Sequence, residues 1–441
     1  MSRDPLGVST SRWGPYVVAG ALLLVDYLLM ARGLSHVRAG FDYQVWSLNH
    51  GLYSDILNLS LKHYIRVGHV IHPLPYVHDR IEYPVLLGFV LWLPSWLPGG
   101  PASWFAAAGV LTAAATFGSI ALLRRQHPPS AWWIAATPAL LLDAAINWDL
   151  VGIVFLIAAV VWFGERRFAL SGASAALGTW FKLFPVIVAP MALAALGARW
   201  WRSSAAPTLP AGTGTPDGSV AVVGPVVRRP SARWRPFARW LIPFAALSAV
   251  IMVPFLLVAR SNTLWFFRFN SERPEKDSLW GMLGKVVGTS VVDNHTINDG
   301  SLLVVVVAVA YGAWMVWRTA DADQARAVAL AAAMTIIAWM AVNKIWNPQY
   351  VLWVFAAGAI AAMPARYGVS LGILSAYDYW FEFVLRLPDQ PNSYSWVGFG
   401  STIARTVIFV LMAAWCVRQL RQTAPVPVAV PAAGAAAPNR S

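Results

Sequence analysis

Hydrophobic runs of roughly 14 to 22 residues recur along this chain, and they constrain its fold more than any motif does. They lie near 14–33, 84–98, 102–123, 131–146, 150–163, 168–181, 183–198, 240–259, 300–318, 327–342, 350–363, 368–387 and 399–417. A segment in hydrocarbon has no water to satisfy its amides, so it closes its hydrogen bonds within itself, as a helix does. Of the 441 residues, 58% are apolar and only 12% charged, the composition of a polytopic membrane protein. The expected fold class is therefore all-α, a transmembrane helical bundle.

A hydrocarbon core about 30 Å thick takes roughly 20 apolar residues per crossing, so the shorter runs are expected to be tilted partners or half-helices. The region 84–123 carries Pro94, Pro98, Gly99, Gly100 and Pro101 at its centre. Such residues break membrane helices, and this region reads as one broken element with a single net crossing. About twelve crossings then follow, with both termini on one side. The first run holds Asp26 and lacks a small-residue cleavage site, which reads as a retained helix and not a signal peptide. The single cysteine, Cys416, excludes an intrachain disulfide and a cysteine metal site.

Short cytoplasmic loops collect Lys and Arg. Arg3, Arg12, Arg124, Arg125, Arg166, Arg167, the segment 199–239, Arg318, Arg326, Arg366, Arg418, Arg421 and Arg440 mark that side. With the five acidic residues of that side they leave a net +14, the outer side cancels, and Asp26 in the first run brings the total to the formal +13. The basic balance is thus a topology signal with some attraction to anionic lipid, and nucleic acid is not an expected partner. A multi-pass protein of the cell membrane follows, with cytoplasmic termini and the loops 34–83, 260–299, 343–349 and 388–398 outside. Residues 1–198 form an N-terminal half, 199–239 a flexible basic linker that is Ser, Pro, Gly and Ala rich, 240–421 a C-terminal half, and 422–441 a tail. No internal repeat is evident, which argues against transporters built from two related halves.

The first outer loop is too polar to be a mere connection. Between Tyr53 and Pro84 it holds Asp55, Asp79, Glu82, Lys62, Arg66, Arg80 and four histidines. Further polar residues fall at outer helix ends: Asn147 and Asp149 in NWD, Lys182 in FKLFP, Arg268 and Arg273 in FFRFNSERPEKDSLW, and Lys344, Asn347 and Gln349 in NKIWNPQY. Charges at membrane depth tend to face a bundle interior or a cavity, and this set could line one pocket.

YSDI at 53–56, PY at 75–76, EYPVL at 82–86, NWDL at 147–150, KLFP at 182–185, R-x-x-x-x-S-L-W at 273–280 and K-x-x-N-P-Q-Y-V-L-W at 344–353 occur in that order. This pattern resembles the GT-C-type membrane glycosyltransferases that use polyprenol-phosphate sugars, and most closely glycosyltransferase family 87, mannosyltransferase-like and arabinofuranosyltransferase-like. The resemblance spans roughly residues 14 to 417. It implies a GT-C-like bundle with short interfacial helices in the first outer loop. It also implies transfer of a mannose- or arabinofuranose-class sugar from a polyprenyl-phosphate donor to a hydroxyl of a lipid or glycan acceptor, usually with inversion. In this family the general base is an aspartate of the first outer loop. The matching position is Asp55, 21 residues before Tyr76, with Asp42 in FDYQVW as runner-up.

The residue types suit that chemistry. An inverting displacement needs a base on the acceptor hydroxyl, opposite the leaving phosphate. Positive charge must meet the developing phosphate anion, and Arg273, Lys344, Lys182 and Arg268 are the candidates. Each has a plainer reading as a basic chain snorkelling toward headgroups. Asp55 has one as a helix N-cap, with Asp42 then the base. Tyr76, Glu82, Tyr83, Asn147, Asp149, Asn347, Gln349 and Tyr350 are candidate pocket residues, and Trp280 and Trp346 could stack on a sugar ring. Against this, Glu82 and Tyr83 would set the start of the next helix, and Asn147 and Asp149 would close a turn and cap a helix.

His36, His50, His63, His69, His72 and His78 have irregular spacings without a metal-site pattern, and a monophosphate lipid donor is compatible with transfer that uses no metal or cofactor. The D-x-D at Asp321–Asp323 falls in a short cytoplasmic loop. A transporter or flippase of a lipid-linked sugar is the alternative, and it predicts charges near mid-helix.

Overall fold

The computed structural model describes residues 12–67, 69–205, 234–288, 293–385 and 396–423. Most of the proposed linker (206–233), the tail from 424, the first eleven residues and most of the loop 388–398 lie outside them. The described chain is all-α apart from a two-residue antiparallel ribbon that pairs Arg66 with Ile71.

Among the described residues, seven helices are long and apolar enough to cross a membrane: Gly14–His36, Pro101–Gln126, Phe184–Arg202, Arg235–Val258, Asn294–Arg318, Gln324–Val342 and Gly398–Thr423. At 1.5 Å per residue, the 26-residue helix from Pro101 is about 39 Å long. The helices, in order, are α1 (Gly14–Ala31), α2 (Tyr43–Asn49), α3 (Asp55–Leu59), α4 (Val85–Trp92), α5 (Pro101–Gln126), α6 (Trp132–Ala135), α7 (Ala139–Leu142), α8 (Asp149–Gly164), α9 (Phe168–Lys182) and α10 (Val188–Ala205). They continue as α11 (Arg235–Val258), α12 (Arg260–Thr263), α13 (Trp265–Glu272), α14 (Leu279–Val287), α15 (Asn294–Arg318), α16 (Gln324–Val342), α17 (Val351–Ile360), α18 (Ala365–Trp380) and α19 (Trp396–Thr423).

Several apolar runs are therefore half-length elements. The run 131–146 is split at Pro138 into the single turns α6 and α7, and 350–363 yields the ten-residue α17. In 84–123 the chain breaks after Trp96, and Gly99 and Gly100 take positive φ, which a Cβ would resist, before Pro101 starts α5. These short pieces pack inside the bundle, where neighbours meet their freed amides: the Ala145 N–H donates to Asp26 Oδ2 at 2.7 Å.

Small residues let the central helices approach. A Cβ on Gly172 of α9 would fall 2.1 Å from the Trp240 carbonyl oxygen of α11, so only glycine fits there. Trp240 then donates to Ser171 Oγ (3.0 Å), which donates to the Ala159 carbonyl of α8 (2.7 Å), tying three helices at one level. Helices from both sides of the linker pack together, and one buried apolar cluster runs from Ala19 to Leu420.

The two ends of the bundle differ. At one end helix termini are joined by Arg125–Glu165 (2.8 Å), Arg202–Asp321 and Arg326–Gln419 (2.9 Å). Asp321 of the D-x-D is thus engaged in a helix-end ion pair. The other end carries the starts of α5 and α8, the ends of α9 and α16, and the loop holding α2 and α3.

Candidate functional site

The site is built on the turn that precedes α3. Ser54 is the N-cap: its Oγ accepts from the Leu57 N–H (3.4 Å) and donates to the Ala145 carbonyl (2.6 Å). Asp55 follows as the first helical residue, and its N–H donates to the Ile146 carbonyl at 2.9 Å. The carboxylate is therefore free of capping. Asp42 shows the reverse: its exposed Oδ1 accepts from the Val45 N–H (3.1 Å) and caps α2.

Around Asp55 the side chains form one polar chain. Tyr53 Oη donates to Oδ1 at 2.5 Å, and Asn147 Nδ2 donates to Oδ2 at 2.8 Å, with Tyr83 Oη at 3.5 Å. Asn147 Nδ2 also reaches Tyr83 Oη (3.0 Å), while its Oδ1 accepts from Lys182 Nζ (2.9 Å). Lys182 pairs with Asp149 Oδ1 (3.1 Å), which accepts in turn from Trp353 Nε1 of α17 (2.9 Å). Asn147, Asp149 and Lys182 are buried, whereas Asp55 stays half-buried at the front. Burial raises the Asp55 carboxyl above its ordinary range, against the lowering pull of the Tyr53 hydroxyl, Lys182 and Asn147.

Facing this chain lie Glu82 and Arg273. Glu82 is half-buried, and its carboxyl is raised by burial and by the Asp55 charge, with Arg273 and His63 opposing. Arg273 ends α13, its guanidinium 5.0 Å from the Phe269 ring. A short parallel bridge holds its loop to 343–349: the Lys276 N–H donates to the Lys344 carbonyl (3.0 Å) and the Trp346 N–H to the Lys276 carbonyl (2.8 Å). Lys344 Nζ donates to the Ser271 carbonyl (2.8 Å), and burial and the Arg273 charge lower its pKa. Tyr350, half-buried, packs its ring 5.0 Å from Trp353; Asn347 precedes it and Gln349 is buried beside it.

No protein-family model and no curated protein matches this chain.

Four expected site residues are engaged elsewhere. Arg268 lies on the exposed face of α13, 70% accessible and paired with Glu272 at i,i+4 (2.8 Å). Trp280 shares its Nε1 between Ser301 Oγ (3.0 Å) and the Val342 carbonyl (2.7 Å) and pins α14 to α16. Trp346 is buried, donating to Asp378 Oδ2 (3.1 Å) with the Arg405 guanidinium 4.2 Å over its ring, which leaves no face for a sugar. Tyr76 is buried at positive φ and donates to the carbonyls of Tyr83 (2.9 Å) and Pro84 (2.8 Å), over Gly88. It braces the start of α4.

His63 and Asp79, both noted in the polar first outer loop, meet with Nδ1 2.5 Å from Oδ2, whereas two features were not singled out from sequence: Tyr53 and the buried Asp378–Arg405 pair (3.6 Å). The last had a readable signal, since each residue is a charge inside an apolar run. For Tyr53, residue type alone carries none.

Proposed function

We propose that this chain is an integral membrane glycosyltransferase. It moves a mannose- or arabinofuranose-class sugar from a polyprenyl-phosphate donor to a hydroxyl of a lipid or glycan acceptor, with inversion, at the extracytoplasmic end of a GT-C-like bundle of about twelve crossings. The observation that carries this reading is the half-buried Asp55 carboxylate, oriented by Tyr53 and Asn147 and free of any capping role, with Arg273 acting on the neighbouring Glu82 and on Lys344.

In this reading Asp55 takes the proton of the acceptor hydroxyl as that oxygen forms a bond to the anomeric carbon. The bond to the phosphate oxygen breaks on the opposite face, and its electron pair leaves with the polyprenyl phosphate. Arg273 and Lys344 stabilise the charge gathering there. A carboxyl raised above its ordinary range is, once ionised, a stronger base than a free aspartate.

Incubating the purified protein with polyprenyl-phosphate sugars and membrane acceptors tests this. Wild type should consume one donor and Asp55→Asn should not. A second reading, a flippase of a lipid-linked sugar, draws on the buried Asp26 and Asp143, each with an unpartnered carboxylate oxygen. It prevails if no donor is consumed while a lipid-linked sugar crosses reconstituted vesicles.

A further inference from the structure

Behind Asp55 lies an ion pair that the displacement itself does not require. Lys182 is 8% exposed and Asp149 1%. The ammonium has three donors: one meets Asn147 Oδ1 at 2.9 Å, one meets Asp149 Oδ1 at 3.1 Å, and the Tyr83 ring lies 4.9 Å away on the remaining side. Reaching forward to a phosphate would strip Asp149 of its counter-charge, and a lone buried carboxylate is far costlier than a paired one. The backbone is shaped for this placement. A Cβ on Gly152 of α8 would sit 2.8 Å from Lys182 Cβ, and Leu183 turns to positive φ to end α9 directly after the lysine.

The consequence falls on Asn147. Its carbonyl oxygen faces two donors, Lys182 Nζ and the Trp148 N–H (2.7 Å), so the amide group cannot be exchanged end for end. Its NH₂ must then face the acceptors Asp55 Oδ2 and Tyr83 Oη. We propose that Lys182 and Asp149 are a positioning pair: from behind the site, and without touching donor or acceptor, they hold the Asn147 amide in the one orientation that donates to Asp55.

This rests on the transferase reading for its kinetic consequence alone, so the test has two arms. The charged and titratable groups around Asp55 are Tyr53, Glu82 and Tyr83 of its loop, Tyr43 of α2, Asp149 of α8, Lys182 of α9, Tyr350 before α17, and Arg273 beyond Glu82. In the first arm the full-length protein in lipid nanodiscs is treated with a hydrophobic carbodiimide, which modifies protonated carboxyls. The pH midpoint of Asp55 labelling is then read by peptide mass spectrometry. Lys182→Met should raise it by about one pH unit, Asn147→Ala should also raise it, and Asp149→Asn should lower it. Should Lys182→Met fail to fold, Lys182→Met/Asp149→Leu, which removes both charges, takes its place with a smaller expected rise, because the lost Asp149 charge acts in the opposite direction.

In the second arm, with a consumed donor, Lys182→Met and Asp149→Asn should each lower kcat about tenfold or more and change the donor KM less than about twofold. An unmoved labelling midpoint in the lysine variant overturns the proposal. So does a raised donor KM in that variant with Asp149→Asn silent, which would make Lys182 a phosphate ligand. If wild type consumes no donor, the transferase reading fails and the labelling arm still decides the pair.

Discussion

Asn147 donates to Asp55 at 2.8 Å across 92 residues of chain, joining the turn before α8 to the turn that opens α3. Because Ser54 and not Asp55 caps α3, the carboxylate can be altered without loosening the helix. Asp55→Asn should therefore leave thermal stability near wild type and reduce sugar transfer roughly a hundred- to ten-thousand-fold, the usual contribution of a general base. Asp42→Asn, which preserves the cap on α2, should transfer sugar normally. Near-normal turnover in the Asp55 variant, measured with a consumed donor, would remove it as the base.

Ser54 has the structural role in this turn. Ser54→Ala deletes both the cap and the bond to the Ala145 carbonyl, and should cost about 1–2 kcal/mol in unfolding free energy. Thermal denaturation in detergent should show this fall, with a loss of transfer smaller than in Asp55→Asn.

The pH dependence has a definite sign. Burial raises the folded carboxyl of Asp55, so between its unfolded and folded pKa values the folded state binds the extra proton. Asp55 therefore lowers stability as pH climbs from its ordinary value of 3.8 through the raised one. Activity moves oppositely, because only the ionised carboxylate accepts a proton. The acid limb of kcat/KM should lie above the ordinary aspartate range, and a limb near 3.8 would contradict the burial that raises this group.

The two arginines of the segment around α13 should separate cleanly. Arg273→Gln removes the charge that acts on Glu82 and Lys344, and should raise the donor KM and lower kcat, together at least about tenfold in kcat/KM. Arg268→Gln loses one exposed i,i+4 pair and should change transfer less than about twofold, with stability shifted by only ~0.5 kcal/mol. Equal losses in the two variants would show that general surface charge matters and not a site at Arg273.

Much of this site was legible as a set of residues, because charge in an apolar chain is rare enough to stand out. Asp55, Asp149, Lys182, Glu82, Arg273 and Lys344 could be picked out in that way, and Asn147 and Tyr83 from the motifs NWD and EYP that hold two of them. Their partners could not. Trp280 and Trp346 stand beside the same motifs, yet each spends its indole N–H on packing, against Val342 and Asp378. Arg268 and Arg273 share a helix segment, and only geometry turns one to solvent and the other toward Glu82.

The helical class was decided by the chain alone, since long apolar runs must satisfy their own amides, and so was the break near 94–101, since Pro and Gly cannot continue a helix unaided. Half-helices were expected among the shorter runs, but which runs become the seven full-length helices of the described residues was not foreseeable, because whether a 15-residue run ends or tilts depends on which neighbours receive its free amides. Tertiary structure also settled which aspartate caps and which stands free, and turned Lys182 backward onto Asp149. A hydrogen bond between residues 92 apart follows from how α3, α8 and α9 pack, and no local spacing contains that information.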